Sequence, residues 1–207
     1  MTTKFSGFII GKKDLREADR LFSIYTKEAG KVTAMAQGSK KLSSKLSGNL
    51  ELMHHAVFTI AKGKQIDRIA TVDVLDTYEP IKNNLDSLTI ALYALDLCDR
   101  AVKPGIVDEG LYELLSDVLV LCAEAKGRYA DIAHFFMIKL ASLLGYQPAV
   151  KGFEKSIAQL IAEKPPAHLE RSARACLASL LERPAPSQVF FDFLSQSAVT
   201  QKSRAIP

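Results

Sequence analysis

Cysteine is scarce in this chain of 207 residues, and its three cysteines lie far apart. They are Cys98, Cys122 and Cys176, and no two of them form a CxxC pair. Without such a pair the sequence supports neither a disulfide framework nor a zinc site. Each cysteine stands in an apolar, helix-like stretch, which favours buried free thiols.

Long apolar runs are also missing. No stretch approaches the roughly 20 residues that a membrane-spanning helix needs. The start of the chain, MTTKFSGFII, lacks the long apolar segment and the cleavage site of a secretory signal peptide. The sequence therefore predicts a soluble, cytoplasmic protein without a membrane contact. Its apolar content of 48% is enough for a sizeable core.

Motifs of the common enzyme classes are absent as well. The chain has no G-x-x-x-x-G-K-[ST] phosphate loop, no G-x-G-x-x-G, no G-x-S-x-G and no H-E-x-x-H. His54 and His55 are adjacent, and neighbours in a strand point to opposite faces, so they cannot readily share a metal ion. His134 and His168 fit an ordinary structural role. We therefore expect no catalytic activity, no bound metal and no cofactor.

Positive charge is concentrated in the first quarter of the chain. Residues 1–48 hold ten Lys and Arg against four Asp and Glu, whereas residues 81–207 hold fourteen of each kind. A basic cluster on a neutral protein attracts polyanions, but a solvated face that keeps a protein soluble has the same composition. The acids Asp14, Glu17 and Asp19 alternate with cations, which is typical of a solvated loop and not of a paired-carboxylate site.

The first 80 residues have the pattern of short strands separated by turns. Alternating or β-branched stretches predict five strands, over 4–11, 19–26, 31–37, 50–63 and 65–79, with the longest signal at 50–63. Gly30 can take a positive φ in the turn before the third strand. Five such strands predict a small closed or nearly closed barrel, which avoids exposed sheet edges. Phe22 and Tyr25 fit core packing better than base stacking.

Pro80 marks a change to helical periodicity. Apolar spacing predicts helices over 84–102, 109–127, 129–148, 156–164, 168–183 and 187–198. Asn84 or Asp86 is the expected cap of the first. The predicted fold is therefore α+β with two domains, a five-stranded β-barrel over 1–80 and an all-α helical domain over 81–207.

Residues 38–49 are an unusual connection, because they contain three lysines, four serines and two glycines but no acid. Most strand connections take two to five residues. Small barrels with cationic loops commonly bind single-stranded nucleic acid, since lysine and arginine release counterions from phosphates. A disordered loop with solubilising lysines is the alternative. The expected DNA contacts are Lys12, Lys13, Arg16, Arg20, Lys31, Lys40, Lys41 and Lys45, with Lys62 and Lys64 as further cations.

The run GFIIGKKDLREADRLFSIYTKEAGKVTAMAQGSKKLSSKLSGNLE, residues 7–51, resembles the N-terminal domain of RecO, a family of bacterial recombination mediators. The helical part agrees in LYALDL at 92–97 and in LGYQP at 144–148. The resemblance covers essentially the whole chain. It implies an OB-fold followed by a helical domain, binding of single- and double-stranded DNA, annealing of complementary strands, and a place in the cytoplasm at the nucleoid.

The resemblance also implies partners. Members act with RecR, and in some organisms with RecF, to load RecA onto DNA coated with single-strand-binding protein. Some bind the acidic C-terminal tail of that protein, and an acidic, apolar-ended peptide needs an apolar groove beside a cation. Many members carry four zinc-binding cysteines after Gly-Tyr-x-Pro, but this chain has none there. The available cations of the helical domain are Arg100, Lys103, Lys126, Arg128 and Lys139.

A protein–protein adaptor is the alternative function. In that case the helical domain does the binding through exposed apolar surfaces, and the barrel is a docking unit without a role on DNA. A gel shift with labelled single-stranded DNA separates the two functions.

Overall fold

The computed structural model describes residues 1–41, 44, 46–125, 127–146, 159 and 169–180. Two compact units divide the chain. The first comprises Met1–Tyr78 and Cys98–Leu115, and the second comprises Glu79–Leu97 and the chain from Ser116 onward. None of the helices within the described ranges has the length and apolar character needed to cross a bilayer.

Five strands form a closed barrel in the first unit. Their order around the barrel is β1-β2-β3-β5-β4, and every neighbouring pair is antiparallel except β3 with β5. This is the predicted OB-fold-like barrel, and with the helices described below it confirms the α+β class. The strands are β1 (Thr2–Asp14), β2 (Arg20–Thr26), β3 (Gly30–Ala36), β4 (His55–Ala61) and β5 (Asp67–Asp76).

Alternate side chains of the strands fill the barrel. In β2, Phe22 and Ile24 point inward and are fully buried, as the two-residue period of a strand requires. Phe22 therefore packs in the core, as predicted. The same cluster contains Ile9, Ala34, Ala36, Leu50, Ala56, Phe58, Ile60, Ile69 and Val72.

The predicted strand over residues 50–63 is wrong for its first five residues, because β4 begins only at His55. The backbone turns there: the Leu50 N–H donates to the Leu46 carbonyl, and Met53 has a φ of 74°. Leu50 and Met53 are three residues apart and both are buried. That spacing suits a turn whose apolar side chains close the barrel, whereas a strand would bury every second residue.

Helices joined by short loops follow the barrel in the described part of the chain. Asn84 accepts a hydrogen bond from the Ser87 N–H at 2.9 Å, so it is Asn84 that caps α2. The predicted helices over 156–164 and 187–198 lie outside the described residues, apart from Gln159. The helices are α1 (Glu79–Lys82), α2 (Leu85–Ala101), α3 (Glu109–Glu124), α4 (Tyr129–Leu143) and α5 (Leu169–Leu180).

The connection between α2 and α3 lies against the outer face of β2 and β3. The Tyr25 hydroxyl donates to the Asp108 carbonyl at 3.1 Å and accepts from the Asp108 N–H at 3.2 Å. Burial raises the pKa of Tyr25 to about 12, so the hydroxyl stays protonated. Gly30, at a φ of 65°, approaches Ile106 so closely that a Cβ would overlap the Ile106 carbonyl oxygen. The connection therefore covers this part of the face.

Replacing Gly30 tests how tightly the connection is packed. Gly30→Ala should lower the free energy of unfolding by about 2–6 kcal/mol, because positive-φ strain and an added methyl against the backbone each contribute. Gly105→Ala is the matched control, since Gly105 has a φ of 75° but its added methyl would meet nothing within 4 Å. Urea unfolding measures both variants. Equal losses would show that contact with Ile106 adds nothing.

His55 lies where the barrel meets the start of α3. Its ring stacks on Phe8 with centroids 4.5 Å apart, and its Nε2 lies 2.9 Å from the Tyr112 hydroxyl and 3.2 Å from the Ser6 hydroxyl. Burial lowers the pKa of His55, and the charge of Asp76 opposes that shift only in part. The folded chain therefore favours the neutral imidazole.

This pKa shift predicts a loss of stability in mild acid. Above the unfolded value of about 6.5, His55 is neutral in both states and its contribution is fully present. Below that pH the unfolded chain takes up a proton before the folded chain does. The free energy of unfolding therefore decreases as the pH falls from the unfolded pKa to the lower, folded pKa. We expect the free energy of unfolding to fall as the pH drops below about 6.5, and to fall less in His55→Gln. Urea unfolding at each pH measures the difference, and identical curves would assign the effect to other groups.

Candidate nucleic-acid interface

Cations of the first quarter of the chain meet at one end of the barrel, where β1 ends, β2 begins and β3 ends. The β1–β2 loop and the segment after β3 are joined there. The Lys40 N–H donates to the Ala18 carbonyl at 3.1 Å, and the Gly38 N–H donates to Asp19 Oδ1 at 2.8 Å. We call this end of the barrel the rim, defined by its cations Lys12, Lys13, Arg16, Arg20, Lys40 and Lys41.

Three rim cations are held by carboxylates. Asp14 lies between two of them, with Oδ2 at 2.8 Å from Lys40 Nζ and Oδ1 at 3.1 Å from Arg20 Nε. Lys12 Nζ lies 2.6 Å from a Glu51 oxygen. The hydrogen bond from Lys40, assisted by Arg20, holds the pKa of the Asp14 carboxyl below its usual value. Asp14 is therefore ionised at neutral pH.

The other three rim cations are exposed. Within the part of the chain that the structure describes, no side-chain ion pair or hydrogen bond engages Lys13, Arg16 or Lys41. Their charges are therefore available to an incoming anion. Lys45, also predicted as a contact, lies outside the described residues.

Lys31 does not belong to the rim, although its sequence position suggested a DNA contact. Its side chain is only 11% exposed, and its ammonium lies 2.9 Å from Asp99 Oδ1. The same ammonium donates to the carbonyls of Asp99 and Val102. Lys31 therefore anchors the end of α2 and the residue after it to the outer face of β3, and we leave it out of the proposed contacts.

The barrel offers no exposed ring for base stacking. In many OB-folds nucleic acid lies across the β2–β3 face, but here the α2–α3 connection occupies part of that face, over Tyr25 and Lys31. Stacking on a base requires an exposed aromatic face. Residues 1–78 contain six aromatic residues, all of them described and none exposed: Phe5, Phe8, Phe22, Tyr25, Phe58 and Tyr78.

Arg68 extends the row of cations, and the sequence analysis missed it. The parallel pairing of β3 with β5 sets Arg68 beside Met35, close to the end of β3 and therefore next to the rim. The preceding β4–β5 loop carries Lys62 and Lys64, both exposed, with Lys62 Nζ at 3.3 Å from Asp67. Pairing between strands so distant in sequence leaves no local signal, so only the fold reveals this neighbour.

The cations expected to bind a peptide tail are divided between the two units. Arg100 and Lys103 belong to the first unit, whereas Arg128 and Lys139 belong to the second. Arg128 lies 2.8 Å from Asp131. Lys126 is outside the described residues. This set therefore stays a prediction.

Neither thiol chemistry nor metal binding is evident among the residues that can be described. Cys98 and Cys122 are buried free thiols, as predicted, and burial raises the pKa of both, that of Cys122 to about 12. The side chain of Cys176 lies outside the described set. No group of three His, Cys, Asp or Glu side chains there could hold a metal ion.

Two models of one protein family match this chain, one over the barrel and one over the helices. The family model for the N-terminal part of recombination protein O matches residues 1–78, and the model for its C-terminal part matches residues 82–152. The chain belongs to the RecO family. The two RecO matches together take in most of the 207 residues, so the family resemblance expected from the sequence is confirmed.

Curated RecO relatives carry the name DNA repair protein RecO. The one from Acetivibrio thermocellus is 29% identical over 147 residues, which are 71% of this chain and 59% of the relative. Those from Pelotomaculum thermopropionicum and Exiguobacterium are each 28% identical, over 72% and 73% of this chain and 57% and 61% of their own lengths. The chain thus spans about three fifths of the length of these relatives.

Replacing Lys31 tests its anchoring role. Lys31→Ala should lower the free energy of unfolding by about 2–3 kcal/mol, because the Asp99 carboxylate loses its cation in a largely covered place. Lys27→Ala is the control, since Lys27 is 56% exposed and 3.7 Å from Glu109, and it should cost less than about 1 kcal/mol. Urea unfolding gives both values. If Lys31→Ala folds but loses as much DNA affinity as a rim variant, Lys31 is a DNA contact.

Proposed function

We propose that this chain is a non-catalytic, DNA-binding recombination mediator whose rim contacts DNA phosphates. One observation carries the proposal: the exposed side chains of Lys13, Arg16 and Lys41 share one end of an OB-fold-like barrel and have no described partner. Membership of the RecO family supports the assignment to DNA repair.

The proposed rim binds DNA through its phosphates and not by stacking on its bases. Each lysine or arginine on a phosphate releases counterions, so affinity falls steeply with salt. Phosphates are present in single strands and duplexes alike, so the proposed rim accepts both. A strand held by its backbone keeps its bases free to pair, and this supports the proposal that the protein anneals complementary strands.

Family membership supports further proposals about partners. We propose that the chain acts with RecR to help RecA load at gaps coated with single-strand-binding protein, and that RecF, a partner of some family members, is a candidate further partner. The acidic tail of that protein is proposed to bind the helical domain, over 81–207, whereas the barrel domain over 1–80 binds DNA. The proposed place of action is the cytoplasm, at the nucleoid.

A triple variant of the rim tests the proposed DNA contact. Lys13→Ala, Arg16→Ala and Lys41→Ala together should lower the salt slope for a 20-nucleotide oligothymidylate by about 2, since each single-strand phosphate contact contributes about 0.7. Affinity at low salt should fall at least about tenfold, and about equally for other sequences. Fluorescence anisotropy across a salt series measures both quantities.

A second triple variant separates local contact from net charge. Lys4→Ala, Lys27→Ala and Lys82→Ala remove the same charge from positions outside the rim. If both triple variants lose affinity equally, net charge and not the rim binds DNA. Unchanged affinity in the rim variant would favour the adaptor function instead. The rim variant should also anneal complementary oligonucleotides more slowly than the unaltered chain.

A further inference from the structure

The Asp14 carboxylate bridges two rim cations at the protein surface. One oxygen lies 2.8 Å from Lys40 Nζ and the other 3.1 Å from Arg20 Nε, and the side chain is 65% exposed. A DNA phosphate presents its two non-bridging oxygens to lysine and arginine in the same way. The carboxylate therefore has the place and the partners that a backbone phosphate needs.

Contacts other than Asp14 hold the Lys40 side chain and the Arg20 backbone. Lys40 Nζ also donates to the Arg16 carbonyl at 3.2 Å, and the Lys40 N–H donates to the Ala18 carbonyl at 3.1 Å. Arg20 is the first residue of β2, where it pairs with Ala36 of β3. The Lys40 ammonium and the Arg20 backbone therefore keep these contacts when the carboxylate moves away.

Asp14 and Asp19 both bridge the two rim segments, but they differ in what they hold together. Asp19 is 9% exposed and accepts the Gly38 N–H at 2.8 Å, so it holds the segments together. Among the described residues, the Asp14 side chain contacts the ends of two cationic side chains, those of Arg20 and Lys40. Ion pairs whose carboxylate is exposed stabilise a fold little and are weakened by salt, so a polyanion can compete for the half-buried cations.

We infer that Arg20 and Lys40 form a phosphate-binding site which Asp14 occupies in the absence of DNA, and that DNA displaces the carboxylate. This inference rests on the proposed function, since it concerns the same rim. Asp14 then competes with DNA for the two cations: every bound strand has to replace this internal anion, which lowers the affinity of the rim for DNA.

Neutralising Asp14 tests the inference, with Glu17 as the matched control. Glu17 is exposed in the same loop, and no ion pair within the described residues involves it. Asp14→Asn and Glu17→Gln each remove one negative charge. At low salt, Asp14→Asn should bind a 20-nucleotide oligothymidylate about three- to fivefold more tightly than Glu17→Gln does, since it removes an exposed ion pair that competes. The difference should shrink as salt rises.

Lys40→Ala supplies the second arm of the experiment. In that background Asp14→Asn should gain less affinity than in the unaltered chain, because half of the phosphate site is gone. Equal gains for Asp14→Asn and Glu17→Gln would overturn the inference by showing a general charge effect. A loss of affinity in Asp14→Asn would overturn it as well, because Asp14 would then support the loop.

The experiments distinguish a failure of the proposed function from a failure of the inference about Asp14. If the rim triple variant loses affinity while Asp14→Asn behaves like Glu17→Gln, the rim binds DNA and Asp14 does not occupy a phosphate site. If neither variant changes affinity, both the proposed function and this inference are wrong. Urea unfolding of Asp14→Asn should match that of the unaltered chain, and a large loss of stability would count against the inference.

Discussion

The contacts of the Lys31 ammonium determine which part of the barrel surface stays open to a ligand. It is held by the Asp99 carboxylate and by the carbonyls of Asp99 and Val102. Together with the hydrogen bonds between Tyr25 and Asp108, it fixes the α2–α3 connection to the outer face of β2 and β3. Because this part of the usual OB-fold ligand face is used for internal packing, the proposed nucleic-acid contact lies at the end of the barrel.

The chemistry of that end favours contact with charge over contact with bases. None of the six aromatic side chains of residues 1–78 is exposed, although Phe5 is only partly buried, so the proposed DNA binding relies on phosphates. The rim is not uniformly positive, because Asp14 and Glu51 engage three of its six cations. A surface of moderate net charge suits the proposed mediator, which has to hold strands and then pass them on.

Local patterns in the sequence predicted the parts of the fold that depend on near neighbours. The alternation of Phe22 and Ile24 placed a strand correctly, and Gly30 has the positive φ expected of its turn. What the sequence could not predict concerns distant partners. Lys31 counted as a free cation because Asp99, 68 positions away, cannot be recognised as its partner from sequence. Arg68 was missed because it reaches the rim only through the parallel pairing of β3 with β5.

That parallel pairing also explains the long basic connection after β3. Met35 near the end of β3 pairs with Arg68, whereas His55 at the start of β4 pairs with Asp76. The chain must therefore travel the length of β5, roughly 26 Å at a strand's rise per residue, before β4 can begin. A hairpin turn joins only adjacent antiparallel strand ends, so it cannot make this crossing. Closing the barrel on the way requires Leu46 and Leu50, which pack on the core. The length of this lysine-containing connection therefore follows from the strand topology, independently of any DNA contact.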